Sequence, residues 1–210
     1  MDKMDNIVIR KGKPEGAQDF SRLILFAAPT FAPSLFGSDV RNLMKNLFQN
    51  TRNHFSFEHS YFIEMDDEIA GMALAYNYKQ KKEENIHIGL LLLKYMRWSF
   101  FTHLPYLLKS EHIVGQITEN ECYISDMGVY PKFRGLGLGT KLFGLIEEET
   151  RKTGSKRIIL DAEIDNKEAI KLYERLGYKI EQKSPVFKIR DKNFEFFKMS
   201  KDIEKNGNIV

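Results

Sequence analysis

The chain has 210 residues, of which 42% are hydrophobic and 29% are charged, and its formal net charge is +3. This length allows one domain, or two small ones, with a substantial core, and the composition excludes a disordered or collagen-like chain. The few surplus positive charges are spread along the sequence, which argues against a dedicated nucleic-acid-binding protein. Cys122 is the single cysteine, so an intramolecular disulfide and a cysteine zinc site are excluded, and we expect no metal.

A lone cysteine fits a reducing compartment, and the first ten residues lack the apolar core of a secretory signal. We therefore expect a cytoplasmic protein. The most apolar stretch, 86–108, contains Lys94, Arg97 and Pro105, whereas a membrane-spanning helix needs about 20 apolar residues with few charges. The stretch is predicted to be a core or lid helix and not an integral membrane span. Dimerisation and binding to a membrane surface are the alternatives.

The first third of the chain mixes strand and helix patterns. Residues 7–10 alternate like a short strand, and helices are predicted at 17–28 and 38–49 from their apolar spacing. The residues between these helices, 29–37, are predicted to form a loop. Residues 58–64 and 68–78 read as a hairpin joined at Asp66 and Asp67, and 79–118 is interpreted as an insertion.

From residue 119 the pattern changes to strand, glycine-rich turn, helix, strand and helix, followed by further strands. The first two strands are predicted at 122–129 and 157–163, and a hairpin turn at 191–193. The polar tail, 201–210, is expected to be frayed. No repeat or low-complexity linker interrupts the sequence, so we expect residues 1–210 to form a single mixed α/β domain.

The segment 122–155 carries the strongest functional signal: CYISDMGVYPKFRGLGLGTKLFGLIEEETRKTGS. A strand, a glycine-rich turn and a helix N-terminus form an anion site, because the first-turn N–H groups lack intrahelical partners and the helix dipole is positive there. Arg134 adds a charged donor. A Walker A loop is excluded because Thr140 and Lys141 are in the reverse order. A dinucleotide fingerprint is excluded because Leu142 replaces its third glycine.

The turn from Arg134 to Thr140 resembles the Q/R-x-x-G-x-G/A motif with which GNAT acyltransferases bind acetyl-CoA. Further along, residues 166–178 (NKEAIKLYERLGY) resemble the N-x-x-A-x-x-x-Y-x-x-x-G-[FY] block of the same family. The resemblance is close over Tyr123–Ile180, looser over Ile7–Tyr78, and absent from the insertion. It implies an α/β (α+β) fold with a mixed, mostly antiparallel twisted sheet that is flanked by helices and carries a helical insertion.

Spacing alone puts Asn166 and Tyr173 two helical turns apart on one face, with the small Ala169 leaving room between them for an extended ligand. The resemblance implies that Asn166 contacts the pantetheine arm and that Tyr173 lies at the thioester sulfur as the general acid. A core aromatic is the alternative for Tyr173. The resemblance also implies that backbone N–H groups of the strand before the glycine-rich turn stabilise the oxyanion. Gly128 in this strand is consistent with a bulge. The expected cofactor-binding residues are Met127, Gly128, Val129, Arg134, Gly135, Leu136, Gly137, Leu138, Gly139, Thr140, Asn166, Ala169 and Tyr173.

A general base must remove a proton from an attacking amine. Asp161 is the leading candidate, because an acid inside an apolar strand is costly unless it has a partner or a task. The other candidates are Glu163, Asp126, Glu121 and Glu119.

The resemblance implies an acetyl-CoA-dependent N-acetyltransferase in which a primary amine attacks the thioester directly. The acceptor is left open between small-molecule amines, such as polyamines, amino acids and drugs, and a peptide or protein N-terminus. Phe31, Phe36, Phe55 and Phe57 are candidates for an apolar wall of its cleft, with core packing as the alternative. The competing functions are an acyltransferase with another acyl donor or an oxygen acceptor, and a CoA-binding sensor or scaffold without turnover. A homodimer is left open, and nucleic acid is not an expected partner.

Overall fold

The structure is a computed structural model that describes residues 6–203. Its strands are β1 (Ile7–Lys11), β2 (Ser60–Met65), β3 (Glu68–Asn77), β4 (Glu121–Val129), β5 (Arg157–Glu163), β6 (Lys179–Lys183), β7 (Phe187–Ile189), β8 (Lys192–Phe194) and β9 (Phe196–Asp202). Its helices are α1 (Ala17–Ala27), α2 (Phe31–Phe36), α3 (Val40–Gln49), α4 (Tyr78–Met96), α5 (Trp98–Glu111), α6 (Leu138–Lys152) and α7 (Lys167–Arg175). Short 3-10 turns lie at Pro14–Gly16, Phe57–His59 and Pro131–Phe133.

Seven strands form one sheet in the order β1-β2-β3-β4-β5-β9-β6, and β7 pairs with β8 in a separate hairpin. Only β4 and β5 pair in parallel among the described strands of the large sheet. Alternate residues of β2 belong to two cores: Phe62 packs with α1, α3 and α4, whereas Tyr61 and Ile63 pack with α6. Successive strand side chains point to opposite faces, so helices cover both faces of the sheet. The predicted mixed, mostly antiparallel sheet is confirmed.

The local predictions in the first third of the chain are correct except at one segment. Asp66 and Asp67 join β2 to β3 with φ of 49° and 64°, the conformation of a tight two-residue hairpin turn. Residues 29–37 were predicted to be a loop, but they contain α2. Pro33 is tolerated there because it lies in the first turn, where its missing N–H has no helical partner. The helix is held by Phe31 and Leu35, which pack against the β7–β8 hairpin.

The C-terminal strands differ in two details from the sequence pattern. The turn between β7 and β8 lies at Arg190 and Asp191, which is earlier than predicted. Strand β9 runs to Asp202 and so includes the first two residues of the predicted frayed tail. Lys201 is held there by an ion pair with Glu147 (2.6 Å). Residues 204–210 of that tail lie outside the described residues.

The insertion contributes two helices, which separate at Arg97, where φ is 52°. Helix α4 is tied to the 3-10 turn that precedes β2 by the buried pair of His59 and Glu84, whose Nε2 and Oε1 atoms are 2.9 Å apart. Leu91 and Met96 of α4 pack in the core with α1 and α3, as expected of a core helix. Within residues 6–203, no helix is long and apolar enough to cross a membrane.

A buried hydroxyl gives a test of the core. The Tyr178 side chain is 1% exposed, and its hydroxyl has no hydrogen-bond partner among residues 6–203. An unsatisfied buried polar group costs about 1–3 kcal/mol, so we expect Tyr178→Phe to raise the free energy of unfolding by about 1 kcal/mol in urea titrations. As a control, Tyr61→Phe removes a bond from the hydroxyl to Glu149 (2.9 Å) and should lower it. A loss of stability in Tyr178→Phe would contradict the assignment of an unpaired hydroxyl.

Candidate active site

Strands β4 and β5 pair only at one end, where Glu121–Ile124 lies beside Arg157–Leu160. Beyond this point both strands continue without pairing with each other, and a gap opens between them. Here Ala75 of β3 pairs with Ile124, whereas Leu74 pairs with Asp126. Ser125 therefore has no partner on β3 and forms a bulge in β4. A bulge bends its strand and increases the local twist. The bulge at Ser125 therefore accounts for the separation of β4 from β5.

Gly128 was expected to form the bulge, but the bulge lies three residues earlier. In the structure, glycine is required at position 128 for a different reason. A Cβ atom at this position would lie 3.0 Å from the carbonyl oxygen of Leu23, so glycine allows α1 to pack directly on the backbone of β4.

The end of β4 presents backbone donors to the gap. Tyr130 donates its N–H to the Ala70 carbonyl of β3 (2.8 Å). Because the N–H groups of an antiparallel strand alternate in direction, those of Val129 and Met127 point away from β3, toward the gap. These two residues belong to the segment in which oxyanion donors were expected.

The glycine-rich turn places the N-terminus of α6 at the same gap. Gly135 and Gly137 adopt φ of 80° and 74°, the left-handed region that glycine occupies at no steric cost. A Cβ atom at either position would have no atom within 4 Å, so the space above the turn is open. No side chain of the described residues caps α6, and its first-turn N–H groups are therefore available to an anion.

Helix α7 forms the opposite wall of the gap. Asn166 caps this helix, because its Oδ1 atom accepts the Ala169 N–H (3.3 Å). Tyr173 packs edge-on against Phe143, with ring centroids 5.5 Å apart. Burial and the negative charge of Asp126 raise the pKa of Tyr173 to about 12. Its hydroxyl donates to no residue of the described chain, so it is free to donate to a ligand.

The gap is one end of a cleft of about 920 Å³. Asp161 and every expected cofactor-binding residue except Leu136 line this cleft, whereas Leu136 is 47% exposed on the outside of the turn. Of the four phenylalanines, Phe57 packs against Phe48 in the core. The other three line the cleft: Phe31, Phe36 and Phe55.

Two aspartates follow the point where β4 and β5 separate. Oδ2 of Asp161 accepts hydrogen bonds from the Gly115 N–H (2.7 Å) and the Tyr123 hydroxyl (3.0 Å), and burial raises its pKa. Oδ2 of Asp126 accepts one bond, from the Ser125 hydroxyl (2.8 Å), and burial raises its pKa to about 6. Both line the cleft. Asp126 was a minor candidate because the sequence does not reveal the bulge that exposes it to the gap.

Of the remaining acidic candidates for the general base, one lines the cleft and two do not. Glu163 lines the cleft, and burial raises its pKa. Glu121 lies at the paired end of β4 and is buried in an ion pair with Arg157 (3.2 Å). Glu119 precedes β4 and does not line the cleft. Within residues 6–203, no three His, Cys, Asp or Glu side chains are grouped as a metal site requires.

A model of the acetyltransferase (GNAT) family matches residues 30–178, more than half of the chain. The chain belongs to the GNAT family. It is similar to N-alpha-acetyltransferase 30 of Schizosaccharomyces pombe, with 36% identity over 56 residues, which cover 27% of this chain and 37% of the relative. It is also similar to the uncharacterized N-acetyltransferase YjgM of Escherichia coli, with 42% identity over 57 residues, covering 27% and 34%. These matches span about a third of each relative.

Solved structures show the same GNAT fold over nearly the whole chain. One structure, described as an acetyltransferase, has a TM-score of 0.64 at 21% identity and covers 94% of this chain and 100% of its own. The ribosomal-protein-S18-alanine N-acetyltransferase of Escherichia coli has a TM-score of 0.59 at 16% identity and covers 98% and 99%. The predicted family and fold are confirmed.

Membership of the GNAT family implies acetyl-CoA as the second substrate. The site fits a phosphate-bearing ligand, because α6 is uncapped and the space above Gly135 and Gly137 is open. A side chain at Gly137 would enter that space. We expect Gly137→Val to weaken CoA binding at least tenfold in calorimetry, which corresponds to about 1.4 kcal/mol.

Gly154 provides a matched control at the other end of α6. Its φ is 77°, and a Cβ atom there also meets nothing within 4 Å. Gly154→Val imposes similar backbone strain but lies outside the cleft, so its CoA affinity should equal that of the wild type. Equal losses in both variants would assign the effect to strain and contradict the phosphate site.

Proposed function

We propose that the chain is an acetyl-CoA-dependent N-acetyltransferase that transfers the acetyl group to a primary amine by direct attack on the thioester. The observation that carries the proposal is the gap between β4 and β5. Three features meet there: the uncapped N-terminus of α6, the free N–H groups of β4, and the unpaired hydroxyl of Tyr173. These are an anion site, a donor for an oxyanion and a donor for a leaving group.

Binding is assigned to the two local motifs. The glycine-rich turn and Arg134 hold the pyrophosphate by backbone N–H groups and one positive charge. Asn166 and Ala169 line the groove along α7, where the pantetheine arm extends toward Tyr173. Asn166 also caps α7, so it both builds this wall and presents its amide group at the groove.

The N–H groups of Met127 and Val129 stabilise the thioester oxygen as it becomes negative. Such fixed donors need no reorganisation during the reaction, and removing one from a comparable site lowers kcat about 10²–10³-fold. Their position on β4 is held by the pairing of this strand with β3.

An amine acceptor needs a base. An alkylamine with a pKa of about 10.4 is neutral in roughly one molecule in 2,500 at pH 7, a cost of about 4.6 kcal/mol. Asp126 is the base that the geometry favours, since it accepts one hydrogen bond and its pKa of about 6 keeps it ionised and basic at neutral pH. Asp161 is the second candidate, because its Oδ2 atom already accepts two hydrogen bonds.

Tyr173 donates to the leaving sulfur. With a pKa of about 12, its hydroxyl keeps its proton at neutral pH and can donate a hydrogen bond. A thiolate of pKa about 8.5 is a weaker base than this tyrosinate, so complete proton transfer is uphill while donation is favourable. Asp126 takes the proton that the ammonium group must lose before attack. The neutral amine then forms the C–N bond as the C–S bond breaks, its nitrogen loses the second proton to solvent, and the thiolate receives a proton from solvent.

The competing function is a CoA-binding sensor or scaffold without turnover. The presence of Asp126 and Tyr173 in one cleft favours catalysis. A thiol-release assay with acetyl-CoA over a panel of amines and peptides tests this point. CoA binding without thiol release for any acceptor would contradict the proposed activity. A cytoplasmic location stays a prediction, and a homodimer stays an open alternative.

Asp126 is tested by substitution and pH. Asp126→Asn removes the base with little change in size, and we expect kcat to fall about 10²–10⁴-fold. In the wild type, kcat should rise with pH through about 6 as Asp126 loses its proton, and this rise should disappear in Asp126→Asn. Asp161→Asn is the comparison: if it alone removes the rise, Asp161 is the base and the assignment to Asp126 is wrong.

Tyr178 is the control for a test of Tyr173, because both rings pack against Phe143. Tyr173→Phe keeps the ring on Phe143 and removes only the hydrogen-bond donor, so kcat should fall about 10²-fold while CoA affinity changes by less than about threefold. Tyr178 contacts the same Phe143 ring, also at 5.5 Å, but it lies outside the cleft. Tyr178→Phe should therefore keep wild-type kcat. A Tyr173→Phe enzyme within twofold of the wild type would reduce Tyr173 to a packing residue.

A further inference from the structure

The two insertion helices line a further part of the cleft, the acceptor chamber. Each contributes a stripe with the same spacing of four, three, one and three residues, which is one face of a helix. On α4 the stripe is Lys81, Asn85, Ile88, Gly89 and Leu92, and on α5 it is Phe100, Leu104, Leu107, Leu108 and Glu111. Ser110 of α5 also lines the cleft, beside this stripe.

This acceptor chamber is mainly apolar. Besides the two stripes, it is lined by Phe31, Phe36 and Phe55, and Phe36 contacts Phe55 edge-on with ring centroids 5.8 Å apart. Rings arranged in this way leave edges and faces to which a further aromatic ring can pack.

The charges of the chamber favour a cation and disfavour an anion. Asp126, Asp161 and Glu163 line it, and none of them forms an ion pair within residues 6–203. Lys81 is the one cation of the insertion stripes, and its ammonium group is already bonded to the Gly115 carbonyl (2.7 Å). An ammonium group would find a carboxylate here, whereas a free carboxylate would find no cation other than Lys81 among the stripe residues of these helices.

We propose that the acceptor is a primary amine on a compact aryl-alkyl body, which rests on the proposed function. The apolar chamber takes the aryl body, and the amine lies at Asp126, beside the gap that leads to Tyr173. A free amino acid is disfavoured because its carboxylate would remain unpaired in an apolar wall. A polyamine is disfavoured because its further charges would face phenylalanine and leucine side chains.

Gly89 determines how large that body can be. It lies in the interior of α4, where glycine is less favourable than every residue except proline. A Cβ atom there would meet no atom of the described residues within 4 Å, so packing within this part of the chain does not explain the glycine. The missing side chain instead leaves open space in the wall between Ile88 and Leu92.

The experiment compares acceptors and two glycine variants. We expect 2-phenylethylamine to have a kcat/KM at least tenfold above those of spermidine, phenylalanine and a Phe-Ala dipeptide. Gly89→Leu should raise the KM for 2-phenylethylamine at least tenfold and leave the affinity for CoA within twofold in calorimetry. Gly89→Ala should have a smaller effect on KM and a higher melting temperature, since alanine favours the helix.

Gly144 is the matched control. It also lies inside a helix, α6, and a Cβ atom there also meets nothing within 4 Å, but it is outside the cleft. Gly144→Leu should keep wild-type KM. A preference for spermidine, phenylalanine or the dipeptide, or an unchanged KM in Gly89→Leu, would overturn the inference and leave the acetyltransferase proposal intact.

Failure of the proposed function itself gives a different result, namely CoA binding without acetyl transfer to any acceptor. In that case, calorimetry of 2-phenylethylamine with the CoA-loaded protein still decides the inference. Binding that Gly89→Leu weakens tenfold and Gly144→Leu leaves unchanged would support an aryl-alkylamine site. Absence of binding would overturn it.

Discussion

The separation of β4 from β5 is the constraint on which the rest of the site depends. Parallel pairing ends at Ile124, and the bulge at Ser125 carries β4 away. Backbone groups that a neighbouring strand would normally satisfy are left open at this point, and an unsatisfied backbone group in a protein interior is costly. The sheet thus keeps polar backbone available to a ligand at the place where the N-terminus of α6 and the inner face of α7 meet.

The same gap sets the electrostatics of the site. Burial raises the pKa values of Asp126 and Asp161. A carboxyl whose pKa is higher in the folded chain than in the unfolded chain binds its proton more tightly when folded. For Asp126, whose pKa is raised to about 6, the contribution to stability therefore declines between about pH 4 and pH 6. Above that range the buried carboxyl group is ionised, which lowers the free energy of unfolding. Such a cost is common where a site must stay reactive.

The insertion joins the core to the acceptor chamber. One face of α4 carries Glu84, Leu91 and Met96 into the protein interior, while another turns Gly89 toward the cleft. Residues that select the acceptor are therefore placed by residues that stabilise the fold. The position of the chamber relative to Tyr173 consequently depends on the buried pair of His59 and Glu84.

The sequence by itself determined the parts whose signal is local. The glycine-rich turn, the α7 block and the 157–163 strand can be predicted because their residues are neighbours along the chain and act through backbone geometry and periodicity. Tertiary structure decided what depends on distant residues: the bulge at Ser125, which is defined by pairing with β3, the exposure of Asp126 to the gap, and helix α2, which is held by packing against β7–β8. Periodicity reports which face of a segment is apolar, but not which distant segment will cover it.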